Sequence, residues 1–209
     1  YYKSTDSVLY SKDGTVLVYS MSTIADYVVP EGTLKIAEGA FGGSIATLQS
    51  VSLPSTLTEI GASAFARCSL LSNVNFADGG SEALVIGDSA FNATAVTFID
   101  LPARTLSIGS DVFYSTSLAS VTFGADSQLT SIGSRSFMGT AITSLVLPES
   151  VIELGDNVFY NCYQLKTVRA EGSLVKMGSS VFAVNSAGTS SLTSVVLPAT
   201  LKTIGEKTF

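Results

Sequence analysis

Few side chains in this sequence could make or break bonds. Histidine is absent and cysteine occurs twice, at Cys68 and Cys162. Neither a Ser-His-Asp nor a Cys-His nucleophile can therefore be assembled, and the usual four-ligand Cys/His zinc site is out of reach. Ser173 and Lys176 reproduce the Ser-x-x-Lys spacing of a serine nucleophile, but no Ser-Asp-Asn or Lys-Thr-Gly partner accompanies them. The pairs Glu149/Glu153 and Asp78/Glu82 could serve acid–base work on a sugar, and Asp78 to Glu82 could form part of a cation site. All four lie in turn-like stretches, where carboxylates are ordinarily solvated, and no glycine-aspartate calcium repeat recurs. Asn92-Ala-Thr94 is an N-glycosylation sequon, of consequence only in a eukaryotic secretory host. No catalysis, cofactor or metal is expected.

What must position any functional group is a chain of 209 residues with 46% hydrophobic and only 13% charged residues and a net charge of −6. That balance excludes a charged disordered chain and disfavours binding to a phosphate backbone. No run of about 18 apolar residues could span a bilayer. The first residue is Tyr1, which implies a removed leader or a trimmed segment.

An internal repeat organises the rest. Phenylalanines recur at 41, 65, 91, 113, 137, 159, 182 and 209, spaced by 22 to 27 residues. Five residues before each stands a large aliphatic, from Ile36 to Ile204, followed by Gly in every copy except Ala37. Between successive phenylalanines runs aliphatic-x-x-aliphatic-x-aliphatic, often closed by Pro, as in Leu48/Val51/Leu53/Pro54 and Ile142/Leu145/Leu147/Pro148. Alternation through Val51-Ser52-Leu53 marks a short strand with its outer residues inward, and Pro stops it without needing a ladder donor. The aliphatic-Gly pair is expected to turn the chain through a backbone conformation that a side chain would oppose, and Phe to fill the interior. One such coil cannot bury its own apolar face, so neighbours must stack.

The expected fold is a β-rich solenoid: a right-handed stack of about eight leucine-rich coils over residues 24–209, with a parallel β-sheet on one face. Residues 1–23 are expected to form an N-terminal β-hairpin cap, because Val8-Leu9-Tyr10 and Val16-Leu17-Val18-Tyr19 flank the turn signal Ser11-Lys12-Asp13-Gly14. Phe209 is the core residue of an unfinished coil, so the stack is expected to continue beyond it. The two cysteines hold one repeat position four coils apart, about 19 Å at strand spacing, too far for a disulfide. They read as small buried fillers.

The intact pattern L-x-x-V-x-L-P-x-x-L-x-x-I-G-x-x-x-F from Leu48 to Phe65 resembles the BspA-like, treponemal-type leucine-rich repeat. Cys68 and Cys162 fit that family's F-x-x-C-x-x-L style, and Val8–Tyr19 resembles a unit found beside such repeats. The Asn/Cys ladder position of common leucine-rich repeats is Thr56 and Ser150 here, so a helix-rich horseshoe is not expected. The resemblance implies a secreted or cell-surface protein, of a bacterium or a parasitic protist, that adheres to host matrix proteins, host cells or other microbes. It brings no catalytic residues.

On the strand face, the positions flanking the central aliphatic are mostly small and polar. A wide, shallow surface of this kind suits an extracellular protein or glycan ligand better than a small substrate. Phe98, Asp100, Thr122, Val146 and Arg169 are the candidate binding residues. Phe98 stands out as a large apolar side chain on a polar face, although packing against Val96-side or cap neighbours would also account for it. The leading function is a non-enzymatic, monomeric binding module. A rigid spacer presenting another domain and, less favoured, a glycan-processing enzyme are the alternatives. Nucleic acid and direct membrane insertion are not expected.

Overall fold

The computed structural model describes residues 2–5, 7–21, 23–42 and 46–209; Tyr1, Asp6 and Ser22 of the expected cap lie outside the described residues. Among these residues there is no helix; the chain is a β-solenoid of eight coils stacked in register. The eight phenylalanine rings form one continuous column, with successive centroids 4.6–5.7 Å apart and planes within 26° of parallel. Phe41 to Phe182 are buried, whereas Phe209 is 63% exposed at the end of the column.

The strand triplets form as expected, each central aliphatic facing the core. They do not make one unbroken sheet. Asp26–Val28, Ser50–Leu53 and Asn73–Phe76 form one parallel ladder, Phe98–Leu101 and Ser120–Phe123 a second, and Ser144–Val146, Thr167–Arg169 and Ser194–Val196 a third. The continuous parallel ladder lies elsewhere, in the short strands that end on the aliphatic before each glycine, from Lys35–Ile36 to Thr203–Ile204.

The repeat glycines owe their place to contact and not to conformation. None of Gly61, Gly87, Gly109, Gly133, Gly155, Gly178 or Gly205 has positive φ. A Cβ on any of them would lie 2.4–2.7 Å from an atom of the preceding coil, and at Gly133 the nearest is the Gly109 backbone at 2.5 Å. Ala37 escapes this constraint because its neighbour is a strand of the N-terminal segment, to whose Leu17 carbonyl its amide donates. The left-handed conformation falls instead two residues before each Phe, at Gly39, Ser63, Ser89, Asp111, Arg135, Asn157, Ser180 and Lys207. There amides alternate in target: Ser63 and Phe65 donate to the next coil, while Ala64 and Ala66 donate three residues back within their own. Both sets of buried donors are thereby satisfied.

At the N-terminus the expected hairpin is extended into a three-stranded antiparallel meander: β1 (Tyr2–Thr5), β2 (Val8–Ser11) and β3 (Val16–Ser20). Strand β3 pairs parallel with Lys35–Ile36, so the meander covers the first rung of the continuous ladder. The β2–β3 turn is held by the Asp13 carboxylate, which accepts from Ser11 Oγ, Thr15 N and Thr15 Oγ1 at 2.7–3.0 Å. Those bonds lower the Asp13 pKa to about 2, the Ser11 hydroxyl contributing most.

Candidate functional site

The breaks in the strand face have a cause in chain length. From the last strand position to the aliphatic before Gly is seven residues in most coils, as in Leu53 to Ile60 and Leu101 to Ile108. It is ten from Phe76 to Ile86 and nine from Phe123 to Ile132. Each break follows one of these two lengthened coils. A cleft of about 400 Å³ opens at the first insert, lined in part by Asp78, Gly80, Asp100, Arg104 and Gln128. Another of about 670 Å³ opens at the second, lined in part by Thr122, Asp126, Val146 and Glu149.

Four of the five sequence-predicted residues cluster around this segment. Phe98 and Asp100 lie on one strand of the isolated two-stranded ladder and Thr122 on the other, in the register Asp100–Thr122. Thr122 Oγ1 donates to Asp100 Oδ1 at 2.5 Å. Asp100 borders the first cleft, and Thr122 and Val146 border the second. Phe98 is 53% and Val146 66% exposed, so neither ring nor isopropyl group is absorbed by the core. Arg169 lies in register with Val146 on the next coil, between Val146 and Val196. Its guanidinium pairs with Glu171 at 2.7 Å, which raises its pKa through the hydrogen bond and the opposite charge. Around the two inserts the face thus presents two exposed apolar side chains, Phe98 and Val146, a hydroxyl–carboxylate pair and, one coil on, an arginine.

The candidate chemical groups do not converge. Lys176 Nζ donates to Glu153 at 2.5 Å, which raises the lysine pKa and keeps it protonated, unfit to act as a base for Ser173. Glu153 therefore belongs to an ion pair on the continuous ladder, while Glu149 borders the second cleft. Asp78 borders the first cleft and Glu82 accepts from Ser81. Among the described residues no three Asp, Glu, Cys or His side chains come together as a metal site would need. The Thr94 hydroxyl of the sequon is buried and donates to the Phe91 carbonyl at 2.9 Å.

Cys68 and Cys162 are free and buried. Each lies three residues after a core Phe, the position held by Thr94, Thr116 and Thr140 in other coils. The threonines donate to their own Phe carbonyl, and Cys162 Sγ donates to the Phe137 carbonyl one coil back. Burial pushes the Cys68 thiol up to about 12 and raises that of Cys162.

Arg104 was not foreseen. It occupies the ladder column of Thr56 and Ser150, whose hydroxyls donate to the carbonyls of Thr33 and Leu129 in the preceding coils. The coil between Thr56 and Arg104 has Ala83 in that column and cannot donate. Arg104 Nη1 reaches back 47 residues to bond Leu57 O at 2.5 Å, the carbonyl that Ala83 leaves free.

These features define a class: a parallel β-solenoid of eight coils, with clefts where the regularity of its strand face breaks. The family profile described as BspA type leucine-rich repeat region matches residues 17–128 and 84–209 in six copies, and the chain belongs to that family. Membership points to a binding or structural role. A leucine-rich cell-surface protein of Faecalibacterium prausnitzii is similar in structure over 100% of this chain and 79% of its own, with TM-score 0.58 and 19% identity. Pneumococcal vaccine antigen PcpA is similar over 94% of this chain and 61% of its own, with TM-score 0.51 and 19% identity. The leucine-rich repeat protein of T. pallidum is similar over 84% of each chain, with TM-score 0.51 and 26% identity. No curated protein matches the sequence. Among the described residues no helix is long and apolar enough to cross a membrane.

Proposed function

We propose that the chain is a non-enzymatic extracellular or cell-surface binding module that adheres to host matrix proteins, host cells or other microbes through its strand face. The observation carrying this reading is Phe98, an aromatic ring 53% exposed on a strand face whose other exposed apolar side chains are the valines Val28, Val146 and Val196. Binding energy concentrates in such anchors surrounded by polar contacts. Arg169, flanked by Val146 and Val196, supplies the cation that protein interfaces favour. The structural likeness to a bacterial cell-surface protein supports the location.

An array of matrix proteins, host-cell glycans and microbial surfaces tests the reading, followed by Phe98→Ala, Val146→Ser and Arg169→Ala. At least one variant should weaken capture about tenfold, the cost of a modest hot spot, with Tm essentially unchanged because all three side chains are exposed. Binding that survives all three moves the contact away from this face. A rigid spacer is the second reading, favoured by the unbroken eight-ring column, and a blank array would favour it.

A further inference from the structure

The Arg104 side chain is 5% exposed, yet among the described residues no carboxylate comes within ion-pair distance of it, and Glu31 attracts it only at longer range. One corner of the guanidinium is accounted for: Nη1 donates to Leu57 O and, at 3.2 Å, to Glu82 O. Nε and Nη2 have no partner and are shielded from solvent. These two nitrogens form the side-on edge with which arginine takes a carboxylate through two parallel hydrogen bonds. Leaving a buried charged donor unpaired is costly, and arginine does not shed its proton to escape that cost. The unpaired edge calls for an anion.

The surroundings specify which anion. Arg104 borders the cleft at the first insert, together with Asp78, Ser81, Asp100 and Gln128. One cation against two carboxylates disfavours a doubly charged phosphate or sulfate. The carboxylates, hydroxyl and amide are the groups that hydrogen-bond sugar hydroxyls. The cleft volume, about 400 Å³, falls within the range of small-ligand sites.

Over the guanidinium lies a two-glycine turn. Gly79 and Gly80 have φ of +89° and +77°, and a Cβ on Gly80 would lie 2.3 Å from Ser55 O and 2.8 Å from Nε. A Cβ on Gly79 would meet nothing within 4 Å. A ligand therefore reaches Nε only if this exposed turn moves aside.

We infer that the cleft beneath the Gly79–Gly80 turn binds a singly charged sugar acid, its carboxylate held side-on by Nε and Nη2 of Arg104. This site goes beyond the strand-face reading and does not depend on it.

The test is NMR of the arginine Nε–H resonances in the intact chain during titration with glucuronate and N-acetylneuraminate. Each is offered free and as the terminal residue of an oligosaccharide, to separate a free acid from a glycan end. Glucose, the methyl ester of glucuronate and inorganic sulfate are the controls. The acids should shift the Arg104 Nε–H, and the controls should not. Arg104→Met should weaken acid binding at least about tenfold, as loss of a charge-assisted pair does. Asp78→Asn should strengthen it by removing a like charge, and Phe98→Ala should leave it unchanged. An unmoved Arg104 resonance at saturating acid, or equal shifts from sulfate or the methyl ester, overturns the proposal, and Arg104 then only staples coils. If Arg104→Met does not fold, the titration of the unaltered chain decides.

Discussion

The phenylalanine column makes the sharpest quantitative prediction. Phe91 is fully buried between Phe65 at 5.2 Å and Phe113 at 5.7 Å, with planes within 2° of parallel. Cutting it to Ala opens a ring-sized void at a place where two flanking coils, held in register by the continuous ladder, cannot close in. Substitutions of this kind cost about 3–5 kcal/mol. The loss of two ring contacts, each worth about 0.5–1.5 kcal/mol, puts Phe91→Ala toward the upper end. Phe209 touches one ring, Phe182, and is 63% exposed, so Phe209→Ala should cost about 1 kcal/mol. For a chain of this length, 1 kcal/mol moves Tm by about 2–4 °C. Phe91→Ala should therefore melt about 6–20 °C lower and Phe209→Ala within about 4 °C of the unaltered chain. Because coils couple only to their neighbours, breaking the middle of the column should also broaden the urea transition or split it, a signature the end substitution lacks. Equal melting shifts for the two variants would refute the idea that the column is the coupled core.

Three further outcomes follow from the coil geometry. Gly133→Ala sets a Cβ 2.5 Å from the Gly109 backbone and should destabilise by about 1–3 kcal/mol; chemical denaturation measures it, and tolerance of the added methyl would contradict the close-approach account. Cys68 and Cys162, buried with raised pKa, should resist a thiol reagent until the chain unfolds. Cys68→Thr should fold normally, since Thr94 and Thr116 fill the same position, and rapid native-state labelling of either thiol would count against this burial. For Asp13 the folded pKa is lowered from 3.8 to about 2, so its contribution to the β2–β3 turn is complete above the unfolded value and disappears as pH falls through about 2. An NMR titration of its carboxyl should centre there, and a midpoint near 3.8 would mean the three hydrogen bonds do not form in solution.

Period, core and strand triplets are legible in the sequence because Phe, the aliphatic-Gly pair and the alternating triplet each recur at a fixed offset. The hairpin at Ser11–Gly14 is legible for the same local reason. The continuous ladder is not, because strands as short as Lys35–Ile36 hold too few residues to alternate. The glycines mislead: a recurrent Gly suggests a special backbone conformation, whereas Gly61 and its equivalents are there to let coils touch. The breaks in the strand face are written in the lengths Phe76–Ile86 and Phe123–Ile132, a signal visible once coils are aligned on both landmarks. Phe98 and Val146 are found from face alternation alone. Arg104 is not, since a lone arginine ordinarily reads as solvated. Its sign is indirect, the missing donor at Ala83 one coil earlier.

Specific recognition by a repeating surface has to come from what does not repeat. Columns of serine, threonine and asparagine present nearly the same hydrogen-bonding groups every ~4.8 Å, so a ligand held by them alone could slide from coil to coil at little cost. An insert in one coil changes only its contacts with the next, which lets a solenoid alter its surface locally without disturbing the column beneath. Here the two inserts sit in the coils on either side of the one that carries Phe98, Asp100 and Arg104. That coil loses its strand-face ladder bonds to the coil before it, and the coil after it loses those to the next, while the continuous ladder and the phenylalanine column run on through Phe91, Phe113 and Phe137. On the proposed binding role, the segment from Ala77 to Arg169, which holds both inserts and the side chains beside them, is where a fixed position along the stack can be recognised.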